Sequence, residues 1–161
     1  MTIITVTSPV GRLDAAQRRV LARTLTDAVL VPEVGQEMPL ARSGFQVRFV
    51  ELAIDSMAIG GVLLADQPEP SDVLSADIAV MDAHWPRSVR ARAIADTLHA
   101  MAAACGLDQA PPGWWVNFRV IDEGSWGSRG GVLSILDLLD SGAFTEERAA
   151  AIRAAIAGTA A

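Results

Sequence analysis

The order of apolar and polar positions predicts strands and helices in two successive rounds. Apolar and β-branched residues dominate 2–7, TIITVT, and 76–82, ADIAVMD, and such residues suit the pleated surface of a sheet. Within 13–30 the apolar residues recur at steps of three and four, which predicts a helix with one buried face. A second helix is predicted to begin near Pro86 and to end at Gly106.

Polar and helix-breaking residues mark the ends of these elements. Pro32 is predicted to lie just past the end of the first helix, and 33–44 and 66–75 are predicted to be loops. Thr145 is followed by two acidic residues, which favour a helix start there. The buried face of this third helix is predicted to carry Ile152 and Ile156.

The tetrapeptide GGVL occurs twice, at 60–63 and at 130–133, and similar sequences precede both copies. The first copy closes QVRFVELAIDSMAIGGVL, 46–63, and the second closes WVNFRVIDEGSWGSRGGVL, 115–133. Upstream of the two copies, similar segments occur in the same order and are separated by a nearly constant number of residues. A duplication explains this order better than chance does, and each half is then a strand, a helix, a strand and a glycine turn.

This repeat predicts an α/β (α+β) fold made of two fused β-α-β units within a single domain, 1–161. The units are 1–65 and 76–134, and 135–161 is a C-terminal helical segment. Helical crossovers give parallel strand pairs, so we expect a four-stranded sheet with two helices on one face. Too little helix remains to cover the other face, which predicts that other subunits cover it, as in a homotrimer.

Composition narrows the classes of function. Hydrophobic residues make up 51% and charged residues 20%, an apolar surplus that also favours a subunit interface. The net charge is −6 without a basic stripe, so nucleic acid is not an expected partner. No apolar run approaches the roughly 18 residues of a membrane helix. A single cysteine and no signal-peptide pattern predict a cytoplasmic protein without disulfides.

Several stretches together carry a resemblance to a known family. GRLDAAQRRVLARTLTDAVL at 11–30, QVRF at 46–49 and MAIGG at 57–61 resemble the tautomerase superfamily, which includes 4-oxalocrotonate tautomerase and macrophage migration inhibitory factor. SWGSRGG at 125–131 is similar to the glycine-rich hairpin of that group. The resemblance implies β-α-β units assembled as trimers or hexamers. It also implies isomerase chemistry on a small 2-oxo or 2-hydroxy carboxylic acid, without a cofactor or metal.

The resemblance also identifies what the chain lacks. The family's general base is an N-terminal proline that is exposed when the initiator methionine is removed, and here that position is Thr2, preceded by Met1. The candidate catalytic groups are therefore Thr2 and the N-terminal amine at Met1. Because the usual base is absent and the amine is displaced by one residue, weak or undetectable tautomerase activity is expected.

Five other residues are implied as substrate-binding. Arg12 and Arg48 fall where the family places arginines that hold a substrate carboxylate, a task that suits the planar guanidinium. Asn117 takes the place of Arg48 in the second half. Met57 and Trp126 occupy the hairpin-wall position of the two halves, and a neighbouring subunit's copy of Trp126 is a candidate wall of the site.

Alternative interpretations remain open from the sequence. The chain could be a catalytically inactive trimeric binding or structural member of the fold, or a ferredoxin-like dimeric α+β barrel protein. Arg48 could instead form an intersubunit salt bridge, and His84 is a second candidate acid or base. Asp122 and Glu123 lack a suitably spaced histidine or cysteine, so no metal site is expected.

Overall fold

The computed structural model describes residues 1–128 and 130–159. In chain order, its strands and helices are β1 Thr2–Pro9, α1 Ala15–Val34, β2 Phe45–Leu52, β3 Ala58–Ile59, β4 Val62–Leu63, β5 Leu74–Met81, α2 Arg87–Ala104, β6 Trp114–Ile121, β7 Gly127–Ser128, β8 Gly131–Val132, α3 Ile135–Leu139 and α4 Glu146–Thr159. Short 3-10 segments lie at 39–44, 54–56 and 64–66.

Four strands form one mixed sheet in the order β2-β1-β5-β6. β1 is parallel to β2, β5 is parallel to β6, and the central pair β1 and β5 is antiparallel. This is the predicted sheet of two fused β-α-β units. In a ferredoxin-like split β-α-β unit another strand separates the two parallel strands, whereas here they are direct neighbours, so that alternative was wrong.

Alternation along the strands decides which side chains face the helices. In β1 the even-numbered residues are buried and the odd-numbered ones are half-buried, as expected for a strand with one face in the core. The core between sheet and helices contains apolar residues such as Ile4, Ile78, Leu25 and Met101. α1 and α2 pack against each other on this face, which confirms the predicted two-helix layer.

The opposite face of the sheet carries a row of polar side chains. The strand register places Arg48, Thr5, Asp77 and Asn117 next to one another across the four strands. Asn117 donates a hydrogen bond to Asp77 at 3.1 Å. On the two outer strands the side chains of this face are exposed, as the sequence predicted for a face that the chain itself does not cover.

Each half ends in a two-stranded hairpin, β3–β4 in the first and β7–β8 in the second. Gly60 and Gly61 turn the first hairpin with φ values of +61° and +84°, in the left-handed region that favours glycine. Gly130 has a φ of +82° at the corresponding turn of the second hairpin. The repeated glycine pair is therefore a turn signal.

The end of α1 differs from the sequence-based expectation. The helix continues through Pro32 to Val34 and ends at Gly35, whose φ is +85°. Proline removes one backbone hydrogen bond, but so close to the end of a helix the loss is confined to its last turn. The prediction that Pro32 lies outside the helix was wrong, and Glu33, assigned to a loop, is in fact a buried helical residue.

The C-terminal segment packs against this end of α1. α4 begins after Thr145, as predicted, and Ile152 is fully buried. The backbone N–H of Thr145 donates to the carbonyl of Val34 at 2.9 Å. Arg148 Nε donates to the carbonyl of Glu33 at 3.0 Å, and its Nη2 donates to the carbonyl of Ala83 at 2.8 Å. These contacts fix α4 against the end of α1 and against the segment that follows β5.

Candidate functional site

A cavity of about 420 Å³ lies where β1 and β2 begin. Because β1 and β2 are parallel, their first residues meet at one end of the sheet, and the antiparallel β5 and β6 end there. The β7–β8 hairpin, which follows β6, completes the wall. We call this the Met1 cavity, and its lining includes Met1, Thr2, Gln46, Arg48, Ser125 and Trp126.

Arg48 supplies a cation to the Met1 cavity. Its Nη2 donates to Gln46 Oε1 at 2.8 Å on the same strand. Within residues 1–128 and 130–159 no carboxylate forms an ion pair with it. A guanidinium without an internal anionic partner keeps donors available for the two oxygens of a carboxylate.

Trp126 lines the same cavity from the β7–β8 hairpin of the same chain. The sequence had suggested that a neighbouring subunit's copy supplies this wall, but within one chain the hairpin already reaches it. The side chain is half-buried and packs against the hydrophobic core. It gives the cavity an apolar wall near the cationic Arg48.

Met1 and Thr2 line the Met1 cavity, but their polar groups are held by a third residue. The Thr2 hydroxyl donates to Glu33 Oε2 at 3.2 Å and is buried on the helix side of the sheet. The Met1 α-ammonium lies 3.9 Å from Glu33 Oε1. This arrangement gives no support to Thr2 as a nucleophile, because its hydroxyl is directed away from the cavity.

Glu33 is the functional candidate that the sequence analysis missed. Burial raises the pKa of its carboxyl, and the Met1 ammonium, the Thr2 hydroxyl and the positive charge of Arg148 oppose that rise. A signal did exist in the sequence, since Leu25, Val29 and Glu33 follow at steps of four on the buried face of α1. Because the sequence-based prediction ended the helix before Pro32, Glu33 was not included in that pattern.

The buried Glu33 predicts a pH dependence of stability. Because the folded pKa is above the unfolded one, the proton on Glu33 stabilises the fold at low pH, and this stabilisation is lost as the pH rises through the folded pKa. In urea unfolding at a series of pH values, Glu33→Gln should remove this component. Glu37→Gln, an exposed control on the same segment, should keep it. An unchanged pH profile in Glu33→Gln would contradict the assignment.

Arg12 is not part of the Met1 cavity. It follows the far end of β1, roughly 23 Å along the strand from Thr2 at 3.3 Å per residue. Its Nε and Nη2 donate to the two carboxylate oxygens of Asp72 at 2.7 and 2.9 Å, and its guanidinium lies over the ring of Trp114. The hydrogen bond from Arg12 lowers the pKa of Asp72. Within one chain, Arg12 therefore acts as a clamp between the β1–α1 loop and the segment before β5.

Replacing Arg12 tests this structural role. Arg12→Gln should lower the free energy of unfolding by about 1 kcal/mol, because the pair with Asp72 is bidentate but partly screened by solvent. The exposed Arg19→Gln is the charge-matched control and should change stability little. Urea unfolding measures both variants. A loss no larger than that of the control would show that the clamp contributes nothing.

Met57 and Asn117 also lie outside the Met1 cavity. Because the two units run antiparallel, the first hairpin lies at the opposite end of the sheet, where Met57, Leu64 and Trp115 line a separate cavity of about 230 Å³. Asn117 lies on the open face of the sheet and pairs with Asp77. The predicted set of site residues thus divides between two ends and one face of the sheet.

The other residues that the sequence suggested as an acid, base or metal ligand do not form a second site among the described residues. His84 is exposed at the β5–α2 turn with a φ of +50° and does not line the Met1 cavity. Across the described part of the chain, no group of three or more His, Cys, Asp or Glu side chains is placed to hold a metal ion. Nor is any helix in the described ranges long and apolar enough to cross a membrane.

Comparison with solved structures finds the same architecture elsewhere. A fused 4-OT in a symmetric trimer superposes with a TM-score of 0.64 at 20% identity, covering 82% of this chain and 94% of that one. Native fused 4-OT gives a TM-score of 0.63 at 24% identity, covering 81% and 94%. N1, a member of the cis-3-chloroacrylic acid dehalogenase family, gives 0.65 at 17% identity, covering 94% and 98%. No family model and no curated protein matches the sequence.

Proposed function

We propose, for a chain with the fold of the fused tautomerase-superfamily proteins, that the Met1 cavity binds a small 2-oxo or 2-hydroxy carboxylic acid. The observation that carries this proposal is Arg48, a guanidinium without an internal carboxylate partner among the described residues, in a cavity shared with Met1 and Trp126. Keto–enol tautomerisation is the reaction class that the fold suggests. The substrate and its turnover are our inference.

The contacts available in the cavity suit such an acid. Arg48 can bind the carboxylate through two parallel hydrogen bonds, and Trp126 can cover the apolar carbon chain. The hydroxyl of Ser125 and the amide of Gln46 add neutral polar groups to the wall. A volume of about 420 Å³ falls within the range of small-molecule sites.

The state of the N-terminus decides how much chemistry this site performs. Tautomerisation needs a group that takes a proton from the enol oxygen and returns one to the neighbouring carbon. In the structure the Met1 amine forms an ion pair with the Glu33 carboxylate, with 3.9 Å between the nitrogen and Oε1. An ammonium can donate a proton but has no lone pair with which to accept one. This observation favours binding with slow turnover, and it supports a non-catalytic binding protein as the second candidate function.

A comparison of an acid with its ester tests the proposed binding. A 2-oxo acid such as phenylpyruvate should bind in calorimetric titration, whereas its methyl ester should bind much more weakly because it lacks the anionic carboxylate. The ultraviolet decay of the phenylpyruvate enol measures turnover separately. Equal binding of acid and ester would contradict a carboxylate site.

We propose that three copies of the chain assemble around the open face of the sheet. Support comes from the exposed outer strands of that face and from the symmetric trimer formed by a fused 4-OT of the same fold. Sedimentation equilibrium should give a mass three times 17.0 kDa. A mass of one or two chains would contradict the trimer.

A further inference from the structure

The carboxylate of Glu33 is buried at a place where a charge is costly. Its side chain is 2% exposed, and a buried carboxylate destabilises a fold unless polar partners compensate for lost hydration. Three groups face it: the Met1 ammonium and the Thr2 hydroxyl from the start of β1, and the guanidinium of Arg148 from α4. Arg148 hydrogen-bonds main-chain carbonyls, including that of Glu33.

Glu33 is itself held firmly in place. Its carbonyl accepts a hydrogen bond from Arg148, and its carboxylate accepts one from Thr2, whose backbone lies in the register of β1 between β2 and β5. A carboxylate held in this way can in turn hold the amine of Met1, the residue before β1. The Met1 carbonyl accepts a hydrogen bond from the Met81 N–H at 3.3 Å, so the main chain is also held on its other side.

Met1 forms part of the wall between two cavities. One is the Met1 cavity with Arg48 and Trp126. The other, of about 210 Å³, is lined by Met1, Glu33 and apolar residues that include Phe144. The position of the Met1 amine therefore affects what a ligand in the Met1 cavity meets.

We propose that Glu33 is a positioning residue whose carboxylate holds the Met1 α-ammonium at this shared wall, so that its N–H donors complete the anion site begun by Arg48. An ammonium has three donors, and a single carboxylate contact at 3.9 Å leaves donors for a ligand. The proposal that Glu33 positions the Met1 amine depends only on the contacts that Glu33 makes. Its consequence for ligand binding rests on the proposed function of the Met1 cavity.

The composition of the chain allows a selective chemical test of whether Glu33 holds the Met1 amine. All 13 positively charged side chains are arginines, so the α-amine is the only primary amine of this chain. Acetylation with N-hydroxysuccinimidyl acetate at pH 8, followed by mass spectrometry that also identifies the N-terminal residue, therefore reports on the α-amine alone. The free peptide MTIITV gives the rate for an unprotected amine of the same sequence.

Three variants separate the charge of Glu33 from a merely structural role. Glu33→Gln should be acetylated about tenfold faster than the native protein, since it keeps an acceptor for Thr2 but loses the anion. Glu37→Gln, with the same change at an exposed position, should react at the native rate. Thr2→Val removes the hydroxyl but keeps the carboxylate, and should also stay protected. Circular dichroism confirms that each variant is folded.

The outcomes decide the proposal in either direction. If the α-amine of the native protein is acetylated as fast as that of the peptide, Glu33 does not position it, and this result holds even if Glu33→Gln does not fold. Equal acetylation rates in native protein and folded Glu33→Gln would also overturn the positioning. Binding of phenylpyruvate is then measured on native and acetylated protein, and acetylation should weaken it severalfold. No binding by native protein would refute the proposed function while the labelling result stands. Unchanged binding after acetylation would refute the ammonium's part in the anion site.

Discussion

Replacing Arg48 with alanine is expected to abolish the thermal stabilisation that a 2-oxo acid gives to the native protein. A ligand that binds only the folded state stabilises it by about 2.7 kcal/mol at a hundredfold excess over its dissociation constant. Among the described residues that line the Met1 cavity, Arg48 has a permanently charged cationic side chain. The melting temperature with and without phenylpyruvate measures this effect directly.

The control for this experiment is Arg19→Ala, which removes the same charge from the exposed surface of α1. It should keep the full ligand-induced shift. If Arg48→Ala also keeps the shift, the carboxylate binds elsewhere. If Arg48→Ala instead loses its trimer in sedimentation equilibrium, Arg48 is an interface residue and its assignment to the anion site is wrong.

The second large effect is a gain of activity in processed Thr2→Pro protein. With Met1 removed, the proline amine stands where the resemblance to the tautomerase superfamily places the general base, at the first residue of β1, where a strand tolerates proline. A correctly placed base in this cavity should accelerate ketonisation of the phenylpyruvate enol by on the order of a hundredfold over the native protein. Mass spectrometry must first confirm removal of the methionine.

Thr2→Ala with Met1 removed is the matched control. Like the proline variant it loses the hydroxyl that donates to Glu33, but it presents a primary amine. A gain in the proline variant alone identifies the secondary amine as the cause. No gain in a correctly processed proline variant would mean that the cavity lacks other catalytic requirements, and the non-catalytic binding function would be preferred.

Much of the fold was predictable because its signals are local and occur twice. Strand alternation, helical periodicity and two glycine turns defined each β-α-β unit, and parallel pairing follows from a helical crossover. The end of α1 was not predictable in this way. A proline within a helical pattern usually ends the helix. At Pro32, however, only the last turn remained, and packing of Thr145 and Arg148 against that turn compensates for the lost hydrogen bond.

The candidate site was predictable only in part, because position in a repeat does not determine position in the sheet. Arg48 and Trp126 come from different halves yet line one cavity, since the second hairpin follows a strand antiparallel to β1. The same antiparallel arrangement sends Met57 to the far end of the sheet. Arg12 could not be separated from the site without knowing that Asp72 pairs with it.

The location of the bound acid tests the central claim most directly. The chain has four tryptophans, so labelling with 5-fluorotryptophan gives four ¹⁹F resonances, which Trp→Phe variants assign one by one. Addition of phenylpyruvate should shift the resonance of Trp126, which lines the Met1 cavity, and leave that of Trp115 in place. A shift of Trp115 without one of Trp126 would put the ligand at the opposite end of the sheet and contradict the proposed site.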